Sequence, residues 1–178
     1  ETDMLGGVRL LTKEDNVLMV TERAMAVRFH PAAQKERTDQ DTGEVTVSDT
    51  VRVQGRISQG VAGIKLNDGD HVVGLIVAAD HETTILTITR NGMAKRSRLG
   101  DGEMHPALGE DGLQKTDSNG EPAFERDGSR RSNRGTKGVR TLSLAAADAH
   151  LVVRQVADLA DQQCLLTEKR KRMRTPAP

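Results

Sequence analysis

Two glycine-rich stretches carry the residues best suited to chemistry. "GRISQGVAGIKL" (55–66) holds Arg56 and Lys65, and "NRGTKGVRTLSL" (133–144) holds Arg134, Lys137 and Arg140. Glycine lets a backbone bend sharply and approach a ligand closely, while arginine and lysine supply positive charge. Arg134, Lys137 and Arg140 are three apart, so a bent turn fans them toward one anionic backbone; the same pattern also fits a solvated loop. More cations follow apolar runs: Lys95, Arg96 and Arg98 after "TILTITRNGM", and Lys169, Arg170, Lys171 and Arg172 within "KRKRMR" near the end of the chain. These fit phosphate binding or a polar sheet face. The chemistry on offer is recognition of a polyanion.

Other chemistries lack their residues. The 178 residues contain no Tyr, no Trp, two Phe and one Cys. Nucleic-acid binders that stack bases on aromatic platforms are disfavoured. The single Cys164 permits no internal disulfide, and a reducing cytoplasm is the simpler expectation. His30, His71, His81, His105, His150 and Cys164 show no metal-site spacing, and no phosphate-binding Walker loop is present, so neither a metal nor a cofactor is expected. No apolar run approaches the roughly 20 residues of a membrane span.

Charge is segregated along the chain. Lys plus Arg equals Asp plus Glu at 26 each, yet from Leu99 to Asp127 eight carboxylates face only Lys115 and Arg126. That stretch is −6 and the remainder +6. A segregated positive surface binds a polyanion even when the total vanishes. On charge balance, the acidic stretch is expected to compete for the basic surface.

The elements that must position these cations are repeated. "NVLMVTERAMAVRF" (16–29), "TILTITRNGMAKRS" (84–97) and "QCLLTEKRKRMRT" (163–175) each read as an apolar strand ending in Thr, a short turn and a more basic strand. Asn91-Gly92 is a strong hairpin signal because both residues tolerate positive φ. "LGGVRLL" (5–11), "VVGLIVA" (72–78) and "LVVRQVA" (151–157) recur upstream of the hairpins, and the glycine-rich stretches recur twice, with Gly60-Val61 matching Gly138-Val139. The offsets are about 68 and then about 78 residues.

Four strands per unit and no helical period of any length predict an all-β radial or solenoid array. The helical look of "LSLAAADAH" yields to this alignment. Val61, Ile64, Leu66, Val73, Leu75, Val77, Ile85 and Ile88 are the expected core, with Lys65, Arg9 and Arg28 facing outward. The expected organisation is a partial blade (1–30), an insertion (31–50) with Val45 and Val47 able to pair as a hairpin, a second blade (51–99), a mobile acidic insertion (100–131), and a third blade with a basic tail (132–178). A chain opening Glu1-Thr2-Asp3 with about three incomplete units reads as part of a longer protein.

Together, "GRISQGVAGIKLNDGDHVVGLIVA", "ILTITRNGMAKRS" and "VLMVTERAMAVRFH" resemble the C-terminal domain of the A subunit of bacterial DNA gyrase and its topoisomerase IV counterpart. The resemblance implies a β-pinwheel, a propeller-like array of four-stranded blades with strand exchange between neighbours, here about three blade units with two loop insertions. It also implies that duplex DNA wraps around the basic rim, so that a gyrase or topoisomerase IV core can drive ATP-dependent strand passage and supercoiling. The implied partners are double-stranded DNA, the B subunit, plus the rest of the A subunit, in the bacterial cytoplasm. The family's box, Q-R-R-G-G-K-G, is matched by "SNRGTKG" (132–138) at Arg134, Gly135, Lys137 and Gly138. "QGRISQG" (54–60) keeps Arg56 and Gly60 but no lysine. Without tyrosine the chain cannot cut DNA as a type II topoisomerase does. A propeller-like protein-interaction scaffold is the alternative from another class.

Overall fold

The computed structural model describes residues 5–79, 81–142, 150–156, 162–166 and 172–176; in the last three segments the backbone alone is described. All of its regular structure is β, in thirteen strands.

The repeated hairpins form as the sequence predicts. β1 (Asn16–Thr21) pairs antiparallel with β2 (Met25–Phe29), β6 (Thr84–Thr89) with β7 (Ala94–Arg98), and β12 (Gln162–Leu166) with β13 (Arg172–Pro176). The threonine ending the first strand has a physical role. The Ala24 N–H donates to the Thr21 carbonyl at 3.1 Å and the Met25 N–H to Thr21 Oγ1 at 3.2 Å. Gly92 and Met93 repeat both bonds on Thr89, at 3.0 and 3.2 Å. Each turn passes through the left-handed region, at Gly92 with φ of 83° and at Ala24 with φ of 63°. Glycine adopts that conformation freely and alanine at a cost of about 1–2 kcal/mol.

Strands are exchanged between repeats. β5 (Val72–Ala78), from the second unit, pairs with β1 of the first, with Leu18 opposite Ile76. β11 (His150–Val156), from the third unit, pairs in the same way with β6 of the second. β10 (Val139–Arg140) closes the first sheet on its far side, giving the order β10-β2-β1-β5; the second sheet runs β11-β6-β7. One four-stranded sheet therefore draws on three units rather than one. "LGGVRLL", expected to be a strand, forms no strand and is exposed, with Leu5 85% and Leu10 95% accessible. Its two counterparts each pair with the hairpin of the preceding unit.

Both faces of the first sheet are covered, which explains why "VLMV" is apolar without alternation. Leu18, Val20, Ala26, Ile76 and Ala78 pack with Ile85 and Leu99 on one side. Val17, Val27 and Phe29 pack on the other, against Met19, Ile64, Leu75 and Val77. Each fully buried aliphatic side chain contributes about 1.5–3 kcal/mol. The expected core is corrected in part: Val61 and Leu66 are 40% and 42% exposed, because the chain from 51 to 71 is a loop, and Val73 is only half-buried. Arg28, expected to point outward, is buried at 1% exposure, because covering both sheet faces leaves it no route to solvent.

The intervening polar stretches are paired chain. β3 (Gln34–Thr38) and β4 (Val45–Asp49) form an exposed hairpin that includes Val45 and Val47. Asp39 shapes its turn by accepting the Thr42 and Asp41 N–H groups, and these bonds hold its carboxyl below the usual range. Within 100–131, β8 (Met104–Pro106) pairs with β9 (Phe124–Arg126), and the ladder continues through Ala107 N–H to Ala123 O at 2.9 Å.

Candidate nucleic-acid interface

The two glycine-rich stretches, far apart in sequence, lie side by side. The Gly135 N–H donates to Gly63 O at 2.6 Å and the Lys65 N–H to Thr136 O at 2.8 Å. Arg134 ties the pair to its surroundings, with Nε donating to Thr50 O at 2.7 Å and Nη1 to Ala62 O at 3.2 Å. Its guanidinium is half-buried, while Lys65 and Lys137 on either side of the seam are exposed.

Gly138 then brings the chain onto the first hairpin. Its φ is 75°, and a Cβ there would lie 2.1 Å from the Ala26 carbonyl oxygen. Only glycine permits that approach. Val139 and Arg140 pair with Ala26 and Met25, leaving Arg140 exposed on the edge strand.

Arg140 reaches a cleft of about 610 Å³ between the first two sheets, where it meets Lys95 and Arg98 of β7 together with Arg126 and Arg130. Leu18, Val20, Ile85 and Val139 form the floor, and among the described residues no carboxylate lines it. Arg98 is bonded to Glu82 at 2.7 Å, but both side chains are exposed, so the pair adds little stability and Arg98 keeps its other donors. Lys95 and Ser97 share the cleft face of β7, opposite Thr87 and Ile85.

The remaining expected cations lie elsewhere. Arg56 is exposed in the loop before the seam, and Arg96 is half-buried on β7 and does not line the cleft. Arg172 opens β13 opposite Leu166, while Lys169, Arg170 and Lys171 fall outside the described residues. Arg126 and Arg130 escaped the sequence reading because the stretch holding Arg126 is net acidic. The only signal was that their end of the stretch is locally basic. A second groove, of about 900 Å³, gathers Lys35, Arg37, Arg52 and Arg134 but also Asp39, Asp41 and Asp49, so its charge is mixed.

Behind the cleft sits the buried Arg28. Nη1 donates to Leu99 O at 2.9 Å and to Ser129 O at 2.8 Å, gripping both ends of the 100–131 stretch. Burial, reinforced by Arg131 and opposed by Asp101 and Asp127, lowers its pKa to about 10. Asp101 accepts the Glu103 N–H, which lowers its pKa, and pairs with His105 at 2.7 Å. Asp127 Oδ2 in turn accepts the Asp101 N–H at 3.3 Å, so these two carboxylates face internal partners. Among the described residues no three His, Cys, Asp or Glu side chains gather as a metal site.

The chain is similar to known proteins of one kind. A family described as the DNA gyrase C-terminal domain, beta-propeller, matches residues 45–79 and 83–101. The DNA gyrase A subunits of Staphylococcus epidermidis (strain ATCC 12228) and of Staphylococcus aureus (strain MRSA252) are each 29% identical over 153 residues, covering 85% of this chain and 12% of theirs. The chain therefore spans only a small part of those relatives. Among solved structures, a DNA gyrase A C-terminal domain matches with a TM-score of 0.50 at 21% identity, over 87% of this chain and 36% of that one. The C-terminal domain of DNA topoisomerase IV matches with a TM-score of 0.51 at 16% identity, over 95% of this chain and 54% of that one. The fold is thus the all-β pinwheel implied by the sequence resemblance.

Proposed function

We propose that this chain, a homologue of the C-terminal β-propeller domain of the gyrase A protein, binds and wraps duplex DNA for a type IIA topoisomerase. The observation that carries the reading is the seam from Lys65 and Lys137 through Arg140 to Lys95 and Arg98, which gathers exposed cations from two repeats. Phosphate contacts position a duplex without reading its bases, and a surface rich in Lys and Arg but poor in aromatics suits that task. Arg56, Arg96 and the run Lys169, Arg170, Lys171 and Arg172 extend the proposed surface, while Arg134 ties the seam together.

The role is non-catalytic. With no tyrosine in the sequence, this chain cannot form a phosphotyrosyl link to DNA. It presents a wrapped segment for ATP-dependent strand passage and supercoiling by the B subunit together with the remainder of the A subunit, in the bacterial cytoplasm. Among the described residues no helix is long and apolar enough to cross a membrane. Gyrase is favoured over topoisomerase IV because the sequence relatives are gyrase subunits.

The test is the affinity for a mixed-sequence duplex across a tenfold range of salt. Each phosphate contact contributes about −0.9 to the slope of log affinity on log salt. Four or more contacts give a slope of about −3.6 or steeper. An affinity that barely moves with salt, or no duplex binding at low salt, refutes the reading.

A further inference from the structure

The arm between residues 99 and 131 is net acidic, yet two of its arginines line the cleft. Its strands leave the body as a pair, with the Ser129 N–H on Leu99 O at 2.8 Å, the Gly102 N–H on Asp127 O at 2.9 Å and the Asp127 N–H on Glu103 O at 3.0 Å. Gly100 and Gly128 make this crossing possible. A Cβ on Gly128 would lie 2.1 Å from Leu99 O, and one on Gly100 2.3 Å from Asp127 O. The crossed base is held from below by Arg28 through Leu99 O and Ser129 O.

That geometry carries four of the arm's eight carboxylates away from its arginines, while Asp101, Glu103, Glu125 and Asp127 stay at the base. Arg126 and Arg130 line the cleft beside Lys95, Arg98 and Arg140. Arg126 is oriented by Nη1 on Gly102 O at 2.5 Å, and Arg130 forms no ion pair among the described residues. Glu110, Asp111, Asp117 and Glu121 lie beyond the ladder, in exposed turns closed by Gly109 N–H to Leu113 O and Asp117 N–H to Glu121 O, both 2.8 Å. Glu121 is five residues from Arg126, a backbone span of up to about 16 Å at about 3.3 Å per residue. This is about twice the Debye length of 8 Å at physiological salt. At that distance the tip carboxylates are largely screened from the cleft.

We infer that the arm is a binding element rather than a competitor: its base supplies Arg126 and Arg130 as phosphate ligands. The inference rests on the duplex-binding reading of the cleft. It opposes the expectation drawn from net charge alone, because a net charge of −4 over residues 99–131 says nothing about which end of the arm meets the ligand.

The experiment measures duplex affinity and its salt slope for the whole chain and three variants, with circular dichroism and thermal melting as folding controls. The Arg126→Gln/Arg130→Gln double variant is expected to bind about tenfold more weakly near 0.15 M salt, with a slope shallower by about 1–2. Arg130→Glu alone alters an exposed side chain with no ion pair and keeps the test valid if the double variant fails to fold; a loss of at least about threefold is expected. In the third variant an Asn-Gly turn replaces residues 108–122, joining Ala107 to its bonded neighbour Ala123. It discards the tip acids, keeps both arginines, and is expected to stay within about twofold of the unaltered chain. Folded arginine variants that bind like the unaltered chain overturn the inference, as does tenfold tighter binding without the tip. Absence of duplex binding by the unaltered chain overturns the functional reading instead.

Discussion

Residues 55–66 and 133–144 spell nearly the same message and end in different circumstances. Gly60 and Gly138 are equivalent in sequence and both adopt left-handed backbone, with φ of 78° and 75°. Beyond that they diverge. Gly60 opens onto empty space, whereas Gly138 presses on the Ala26 carbonyl. Arg56 is free in solvent, whereas Arg134 is spent on the carbonyls of Thr50 and Ala62. Val61 is exposed, whereas Val139 enters a sheet. A local pattern thus dictates a turn, but packing against other repeats decides whether its arginine serves the fold or a ligand.

Substitutions at paired positions test that contrast, and the glycines should give the largest effect. Gly138→Ala drives a methyl group into backbone and strains φ, so a loss of about 3 kcal/mol or more is expected in urea unfolding, enough to detach β10. Gly60→Ala meets only the conformational penalty, about 1 kcal/mol. Equal losses at the two sites would mean that the Gly138 contact is not tight.

The arginines come next. Arg134→Met removes two charge-assisted bonds to backbone carbonyls and should cost about 2 kcal/mol, visible as a lower melting temperature. Arg56→Met should leave stability within about 0.5 kcal/mol while making the salt slope of duplex binding shallower by about 1. If Arg134→Met melts like the unaltered chain, Arg134 is a surface residue like Arg56.

The hairpin turns supply a counter-case in which two copies stay alike. Thr21→Val and Thr89→Val each delete the hydroxyl that accepts an N–H from Met25 or Met93. Each should cost about 1 kcal/mol, and the two should agree closely. A large inequality would show that the turns depend on their neighbours as the glycine-rich segments do.

The smallest stability effect is expected at the seam. Lys65→Gln and Lys137→Gln should leave melting unchanged and weaken duplex binding similarly, by a few-fold each near 0.15 M salt. Binding that ignores both substitutions would move the interface away from the seam.

Much of the fold was legible before any coordinate. Asn91-Gly92 marked a turn, the threonine-terminated apolar runs marked hairpins, and the unbroken "VLMV" fits a sheet covered on both sides. Ala24 was harder: nothing in an Arg-Ala dipeptide announces φ of 63°, and only alignment with Gly92 hints at it. Of the proposed surface, Lys65, Lys95, Arg98, Lys137 and Arg140 were legible as cations, and each is exposed. Arg126 was hidden by its acidic neighbours Glu125 and Asp127, and Arg28 was misread as an outward-facing cation.

The division follows the range of the forces involved. Backbone sterics, the two-residue alternation of strands and the placement of charge along the chain act over a few residues, so composition and spacing settle the all-β repeats, the left-handed turns and the segregated cations. Strand exchange, the Arg134 tie spanning 84 residues to Thr50 and the Arg28 grip spanning 101 residues to Ser129 depend on desolvation and hydrogen bonding between distant segments. Those partners exist only once the sheets have packed. Folding therefore decided which cations became structure and which remained free to meet an anion.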